Sequence, residues 1–183
     1  QVEGMDKPIE IHTDYLELPP STRTVEKEHA VWFYIDTLMH SEGDITLVPV
    51  GPLTNIAMAM RIEPEICKKI KEIVLMGGGD RIGNASAAAE FNIYCDPEAA
   101  ELVFDSGMHI VMCGLDVTLK ALLRPTDWDE LAATGTRAGK FVRDCVQCAW
   151  QFSQKFGLEG VAMHDSCPVL YLAHPELFRA EEA

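Results

Sequence analysis

Positive charge is scarce in this sequence: 15 Lys and Arg stand against 29 Asp and Glu, a formal net charge of −14. Such a balance repels polyanions, and no basic stripe interrupts it, so nucleic acid is not expected as a partner. Long apolar runs are lacking as well. None approaches the roughly 20 residues that cross a bilayer, so no membrane partner is expected. The opening residues, Gln1-Val-Glu-Gly-Met5, are polar and do not form a secretory signal peptide. The expected compartment is cytoplasmic. Cysteine is present without an evident framework: six residues at 67, 95, 113, 145, 148 and 167 lie mostly inside apolar or helical runs. Without a secretory segment they read as buried free thiols. Cys145-Val-Gln-Cys148 has no second pair to complete a zinc site. Internal repeats and low-complexity tracts are absent.

What remains is ordinary globular material. Hydrophobic residues make up 48% and charged residues 24%, which excludes disorder and collagen-like architecture. A chain of 183 residues buries about 70% of its unfolded surface, enough for one compact domain over 1–183. Residues 1–23 read as an irregular lead-in broken by Pro8, Pro19 and Pro20. Helical spacing follows at Val31, Ile35, Leu38 and Met39, ended by Gly43. Apolar strands are predicted at Ile45–Val50, Ile73–Met76 and Met108–Cys113. Thr54 is placed to cap a helix from Asn55, and Pro64 starts another. Asp96-Pro97-Glu98 combines a capping carboxylate, Pro at the first helical position and acid in the first turn. Further helices are predicted at 126–133, 136–156 and 166–173.

Fully apolar strands alternating with helices specify an α/β fold, a mainly parallel sheet with helices on both faces. In such sheets ligands lie beyond the carboxyl ends of the strands. Those ends here are Val50-Gly-Pro-Leu-Thr54, Met76-Gly-Gly-Gly79 and Leu115-Asp116.

Three segments stand together. They are Leu47-Val-Pro-Val-Gly-Pro-Leu-Thr-Asn-Ile-Ala57; Val74-Leu-Met-Gly-Gly-Gly79 through Gly83-Asn84 to Ala89-Glu-Phe-Asn-Ile93 and Asp96-Pro-Glu-Ala-Ala100; and His164-Asp165. From about His29 to Phe178 the chain resembles the inosine–uridine nucleoside hydrolase family. The family's N-terminal Asp-x-Asp-Pro-Gly-x-Asp-Asp cluster and its closing segment have no counterpart, so the expected fold is incomplete at both ends. The resemblance implies Ca²⁺-dependent hydrolysis of the N-glycosidic bond of ribonucleosides, giving ribose and free base, by a dimer or tetramer. It assigns Asp165 and the Val50 carbonyl to the metal, and Asn84, Glu90 and Asn92 to the ribose. Phe91 becomes a wall of the sugar pocket, Met76 a lining residue, and His164 the group that helps the departing base take a proton. These residue types suit an oxocarbenium-like centre flanked by anions and dipoles.

Each residue also has a plainer reading. Asn84 after Gly83 fits a turn, Glu90 a loop cap, Phe91 a core position, and Asp165 a cap on Ser166 onward. Asp96 reads as a structural cap alone. Asp116 either lines the pocket or ties down a loop. Trp150, Gln151, Phe152 and Lys155 are expected to approach the base, with no purine–pyrimidine discrimination in the pattern. Two other function classes stay open. One is a catalytically inactive homologue acting as a riboside-binding or assembly module. The other is a nucleotide-binding protein using Gly77-Gly78-Gly79 as a phosphate loop, although no G-x-G-x-x-G spacing is present.

Overall fold

The structure, a computed structural model, describes residues 20–182 except residue 156, and of residue 152 only the backbone. Most of the expected lead-in over 1–23 lies outside these residues. The chain divides into two compact units, one built from Thr24–Val117 with the segment from His164 onward, the other containing Thr118–Met163.

The first unit is organised on β2 (Ile70–Met76), flanked by β1 (Ile45–Leu47) and β3 (Ile110–Cys113). All pairings are parallel, in the order β1-β2-β3. Ile73 stands opposite Leu47 on one side and Ile110 on the other. From Ile73 to Met76 every residue of β2 is buried, the mark of a strand covered on both faces. Ile73 and Leu75 join a core with Val31 and Leu38 of α1 (Ala30–Met39), Ile56 and Met60 of α2 (Thr54–Ile62), and Ala100 and Val103 of α4 (Pro97–Phe104). Val74 and Met76 alternate to the opposite face, and α8 (Ser166–Ala173) packs on β2 and β3. Parallel sheet and covering helices are thus as the apolar strands and helical spacings predict.

Local differences have local causes. β1 stops at Leu47 and not at Val50, yet the Pro49 carbonyl still accepts from the Met76 amide at 2.9 Å. Thr54 does not cap α2: Leu53 occupies that position without a side-chain bond. Thr54 is the first residue inside the helix, and its hydroxyl donates to the Asp96 carboxylate, a charge-assisted bond. Asp96 also accepts from the Ala99 amide at 3.1 Å. Together the hydroxyl and the amide hold its carboxyl below the usual range. Pro64 starts only a 3₁₀ turn, Pro64–Lys68.

The second unit contains α6 (Pro125–Ala133), α7 (Arg137–Lys155) and an antiparallel pair, β4 (Leu122–Leu123) with β5 (Val161–Ala162). Trp128, Val146 and Val161 form its core. Trp150 packs edge-on against Trp128 at 5.7 Å between ring centroids.

Candidate active site

Glycine-rich chain closes the carboxyl ends of β2 and β3. Gly78 sits at φ +72°, and a Cβ there would lie 2.7 Å from the Met112 Sδ. The positive φ favours glycine, and a side chain there would also have to push the flexible end of Met112 aside. The amide of Leu115, which opens α5 (Leu115–Thr118) just after β3, donates to the Gly78 carbonyl at 2.9 Å. Beyond the glycines the loop folds back on itself: amides of Asn84, Ala85 and Ser86 all donate to the Ala89 carbonyl at 3.0–3.2 Å. The Ser86 hydroxyl accepts from the Ala88 and Ala89 amides. This tight wrap delivers the chain to Glu90 at a fixed point.

Glu90 is 3% exposed and caps α3 (Phe91–Cys95). Its Oε2 accepts from Gly78 N and Asn92 N, both at 2.9 Å, and from Ile93 N at 3.3 Å. Among the described residues these donors fall on one oxygen, Oε2, and not on Oε1. Asn92 Nδ2 donates to the Met76 carbonyl at 3.1 Å, and Asn84 Oδ1 accepts from Phe91 N at 2.8 Å. Five of the residues singled out from the sequence thus fall into two hydrogen-bonded sets, Asn84 with Phe91 and Met76 with Glu90 and Asn92, joined along the chain at Glu90-Phe91. The plainer readings of Asn84 and Glu90 are true as well, since each also fastens the loop. Phe91 is not a core residue, being 54% exposed.

His164 and Asp165 enter from a distant part of the chain, at the start of α8. Asp165 occupies the N-cap position but makes no side-chain capping bond, so its carboxylate is not spent on the helix. Burial pushes the His164 imidazole below its ordinary value, opposed by the charges of Asp165 and Glu90. Burial raises the Asp165 carboxyl; neighbouring His164 lowers it and Glu90 raises it further. Glu90, His164 and Asp165 thus lie within Coulombic reach of one another.

Val50 follows β1 with its side chain exposed, leaving its carbonyl as the only group relevant to a cation. Asp116 Oδ2 accepts from the Asp80 amide at 2.6 Å, so it ties down the glycine loop. That is the loop-tying reading of Asp116; the Gly78 amide as a partner of Glu90 is what sequence reasoning missed, with the triple glycine at a strand end its only signal. Gln151 and Lys155 are exposed on α7, and the Phe152 side chain lies outside the described residues. Burial pushes the Cys113 thiol up to about 11, with Cys167 adding to the effect. Burial raises Cys145 too, followed by the influence of Cys148, so these thiols are held protonated near neutrality.

The family profile described as inosine-uridine preferring nucleoside hydrolase matches residues 2–183. The pyrimidine-specific ribonucleoside hydrolase RihB of Escherichia coli O1:K1 is 44% identical over 180 residues, covering 98% of this chain and 55% of that protein. Among solved structures, a purine-preferring ribonucleoside hydrolase from Gardnerella vaginalis superposes with a TM-score of 0.84 at 40% identity, covering 90% of this chain and 53% of that one. The plant nucleoside hydrolase PpNRh1 gives a TM-score of 0.84 at 29% identity, covering 92% and 53%. The chain spans about half the length of these relatives.

Proposed function

The chain belongs to the inosine-uridine preferring nucleoside hydrolase family, and from that premise we propose that it carries the ribose-binding and leaving-group side of a ribonucleoside hydrolase site. The reaction joins water to the anomeric carbon, breaks the N-glycosidic bond and leaves ribose and free base. One observation carries the reading: the buried, backbone-fixed Glu90 stands within Coulombic reach of His164 and Asp165. Glu90 Oε1 and the amides of Asn84 and Asn92 are the groups for ribose hydroxyls, with Phe91 and Met76 as apolar lining. The negative charges of Glu90 and Asp165 favour an oxocarbenium-like ribosyl centre. His164 passes a proton towards the departing base.

An oxygen-only donor set suits a hard ion such as Ca²⁺. Here it consists of the Asp165 carboxylate and the Val50 carbonyl, whereas Ca²⁺ takes about six to eight oxygens. Among the described residues no group of three or more His, Cys, Asp or Glu stands together as a metal site. These residues do not by themselves fit the ion, and no step above is routed through it. The reading takes residues 1–183 as part of one hydrolase domain, cytoplasmic, acting as a homo-oligomer on small ribonucleosides.

The test is ribose release from uridine, cytidine and inosine, with Ca²⁺ and with EDTA. Riboside binding, with ribose release that Asp165→Asn abolishes, is the expected result. The absence of both ribose release and riboside binding overturns the proposal. Binding without release favours the second reading, a riboside-binding module, which the two-oxygen donor set supports.

A further inference from the structure

We propose that Asp116 is a positioning residue for Glu90, acting through the glycine turn between them. The inference rests on the reading of Glu90 as the ribose-contacting carboxylate. The linkage runs through three hydrogen bonds. Asp116 Oδ2 accepts the Asp80 amide at 2.6 Å, and the adjacent Leu115 amide donates to the Gly78 carbonyl at 2.9 Å. Gly78 then donates its own amide to Glu90 Oε2 at 2.9 Å. The space between is closed: a Cβ on Gly114 would lie 3.0 Å from the Gly78 carbonyl oxygen, and one on Gly79 3.5 Å from Asp116 Oδ2. The segment Gly114-Leu115-Asp116 thus grips the turn on both sides of Gly79. The Gly78–Gly79 peptide is held by its carbonyl and the Gly79–Asp80 peptide by its N–H, so the chain is fixed on the far side of the Gly78 Cα and the Gly77–Gly78 peptide, whose N–H meets Glu90, is restrained from that side. Glu90 needs that constraint, because its remaining donors, Asn92 N and Ile93 N, both belong to the helix start it caps. Among the described residues, only the Gly78 amide, just beyond the end of β2, ties its carboxylate towards the sheet.

Charge makes the arrangement directional. A carboxylate accepts the Asp80 amide more strongly than a neutral group does. It does so at the loop that Asp80 and Arg81 begin, next to a site already holding Glu90 and Asp165. Removing Asp116 therefore releases the turn without emptying the site of negative charge. The expected signature is a Glu90 carboxyl that loses its fixed orientation while the fold persists.

Asp116→Ala removes the acceptor, and Asp116→Asn keeps an amide oxygen in its place. NMR of the labelled full chain would follow the Gly78 and Asp80 amides and the Glu90 carboxyl carbon, with riboside affinity measured alongside. In Asp116→Ala, hydrogen exchange at both amides should rise about tenfold, the Glu90 carboxyl signal should shift, and riboside affinity should fall about tenfold; Asp116→Asn should restore most of each. If Asp80 exchanges faster while Gly78 and Glu90 are unmoved, Asp116 is a local loop tie and the proposal is wrong. If Asp116→Ala fails to fold, Asp116→Asn and Asp116→Ser supply the same comparison. Glu90→Gln, measured in parallel, separates the two claims. Unchanged riboside affinity in that variant sinks the ribose reading of Glu90, whereas the Gly78 and Glu90 signals judge the linkage alone.

Discussion

Glu90 fastens the loop and is proposed to meet the ribose, two duties that separate under substitution. Its Oε2 satisfies three backbone amides, and each buried donor left without a partner costs about 1–3 kcal/mol. Glu90→Ala is therefore expected to lower the unfolding free energy by at least that amount in a denaturant titration. Glu90→Gln retains an oxygen for the same amides and discards the charge. Its melting temperature should stay near that of the parent, while riboside affinity falls roughly ten- to a hundredfold, the worth of a charge-assisted hydrogen bond. A Gln variant as unstable as the Ala variant would make Glu90 purely structural. Asp96 offers a contrast, a carboxylate whose work is entirely in the fold. Its carboxyl is lowered from 3.8, first by the Thr54 hydroxyl and then by the Ala99 amide. A lowered folded-state value means a stabilising contribution that is complete above the unfolded value near 3.8 and is lost as pH falls through the folded one. Asp96→Asn should flatten the acid limb of a plot of melting temperature against pH and leave the neutral region little changed in shape. An unaltered acid limb would assign that limb to other carboxylates.

At the scale of elements, β2 and the turn after it decide whether the site exists. Ile73 is completely buried at the centre of the sheet, so Ile73→Ala should cost about 2–5 kcal/mol in chemical unfolding. Gly78→Ala acts on the site and not on the core. The left-handed φ costs about 1–3 kcal/mol for a residue with a Cβ, and the added methyl strikes Met112. Trimming Met112 to Ala in the same chain should recover the contact part of the loss, leaving the backbone part; full recovery would mean that the φ carries no penalty. These elements differ in how plainly the sequence announces them. β2 was legible because an all-apolar run ending in three glycines has few other uses, and α4 because Asp96-Pro97 marks its start chemically. β4 and β5, two residues each, are too short for any alternation to register. The Thr54–Asp96 bond joins residues far apart in the chain, so local capping logic sent Thr54 to the wrong partner. The approach of His164-Asp165 to Glu90 is equally non-local, and only resemblance to a family connected them in advance. Asp116 was narrowed to two readings by its position at a strand end; the 2.6 Å bond to Asp80 chose between them.

At the scale of the whole molecule, charge and turn geometry together select the class of ligand. The triple glycine at the end of β2 invites comparison with a phosphate loop, whose backbone amides must be free to face an anion. Here the Gly78 amide is taken by Glu90 and the Asp80 amide by Asp116. The loop already holds its anions, and they are the protein's own. A net charge of −14 extends the same sign over the surface. A neutral riboside meets no opposition from this field, whereas a monophosphate brings about two further negative charges. At an effective dielectric constant near 20, one pair of like charges about 8 Å apart costs about 2 kcal/mol, more than a factor of ten. Uridine monophosphate should therefore compete at least about tenfold more weakly than uridine. Salt must narrow the gap if its origin is electrostatic, since the screening length contracts from about 10 Å at 0.1 M to about 3 Å at 1 M. Base preference does not follow from the same reasoning, and the relatives agree with that: one at 44% identity is pyrimidine-specific and one at 40% is purine-preferring. Competition by nucleoside and nucleotide pairs of both base classes at the two salt concentrations tests the charge argument independently of base. Monophosphates binding more tightly than their nucleosides at low salt would return Gly77-Gly78-Gly79 to the role of a phosphate loop and require the Gly78 amide to leave Glu90.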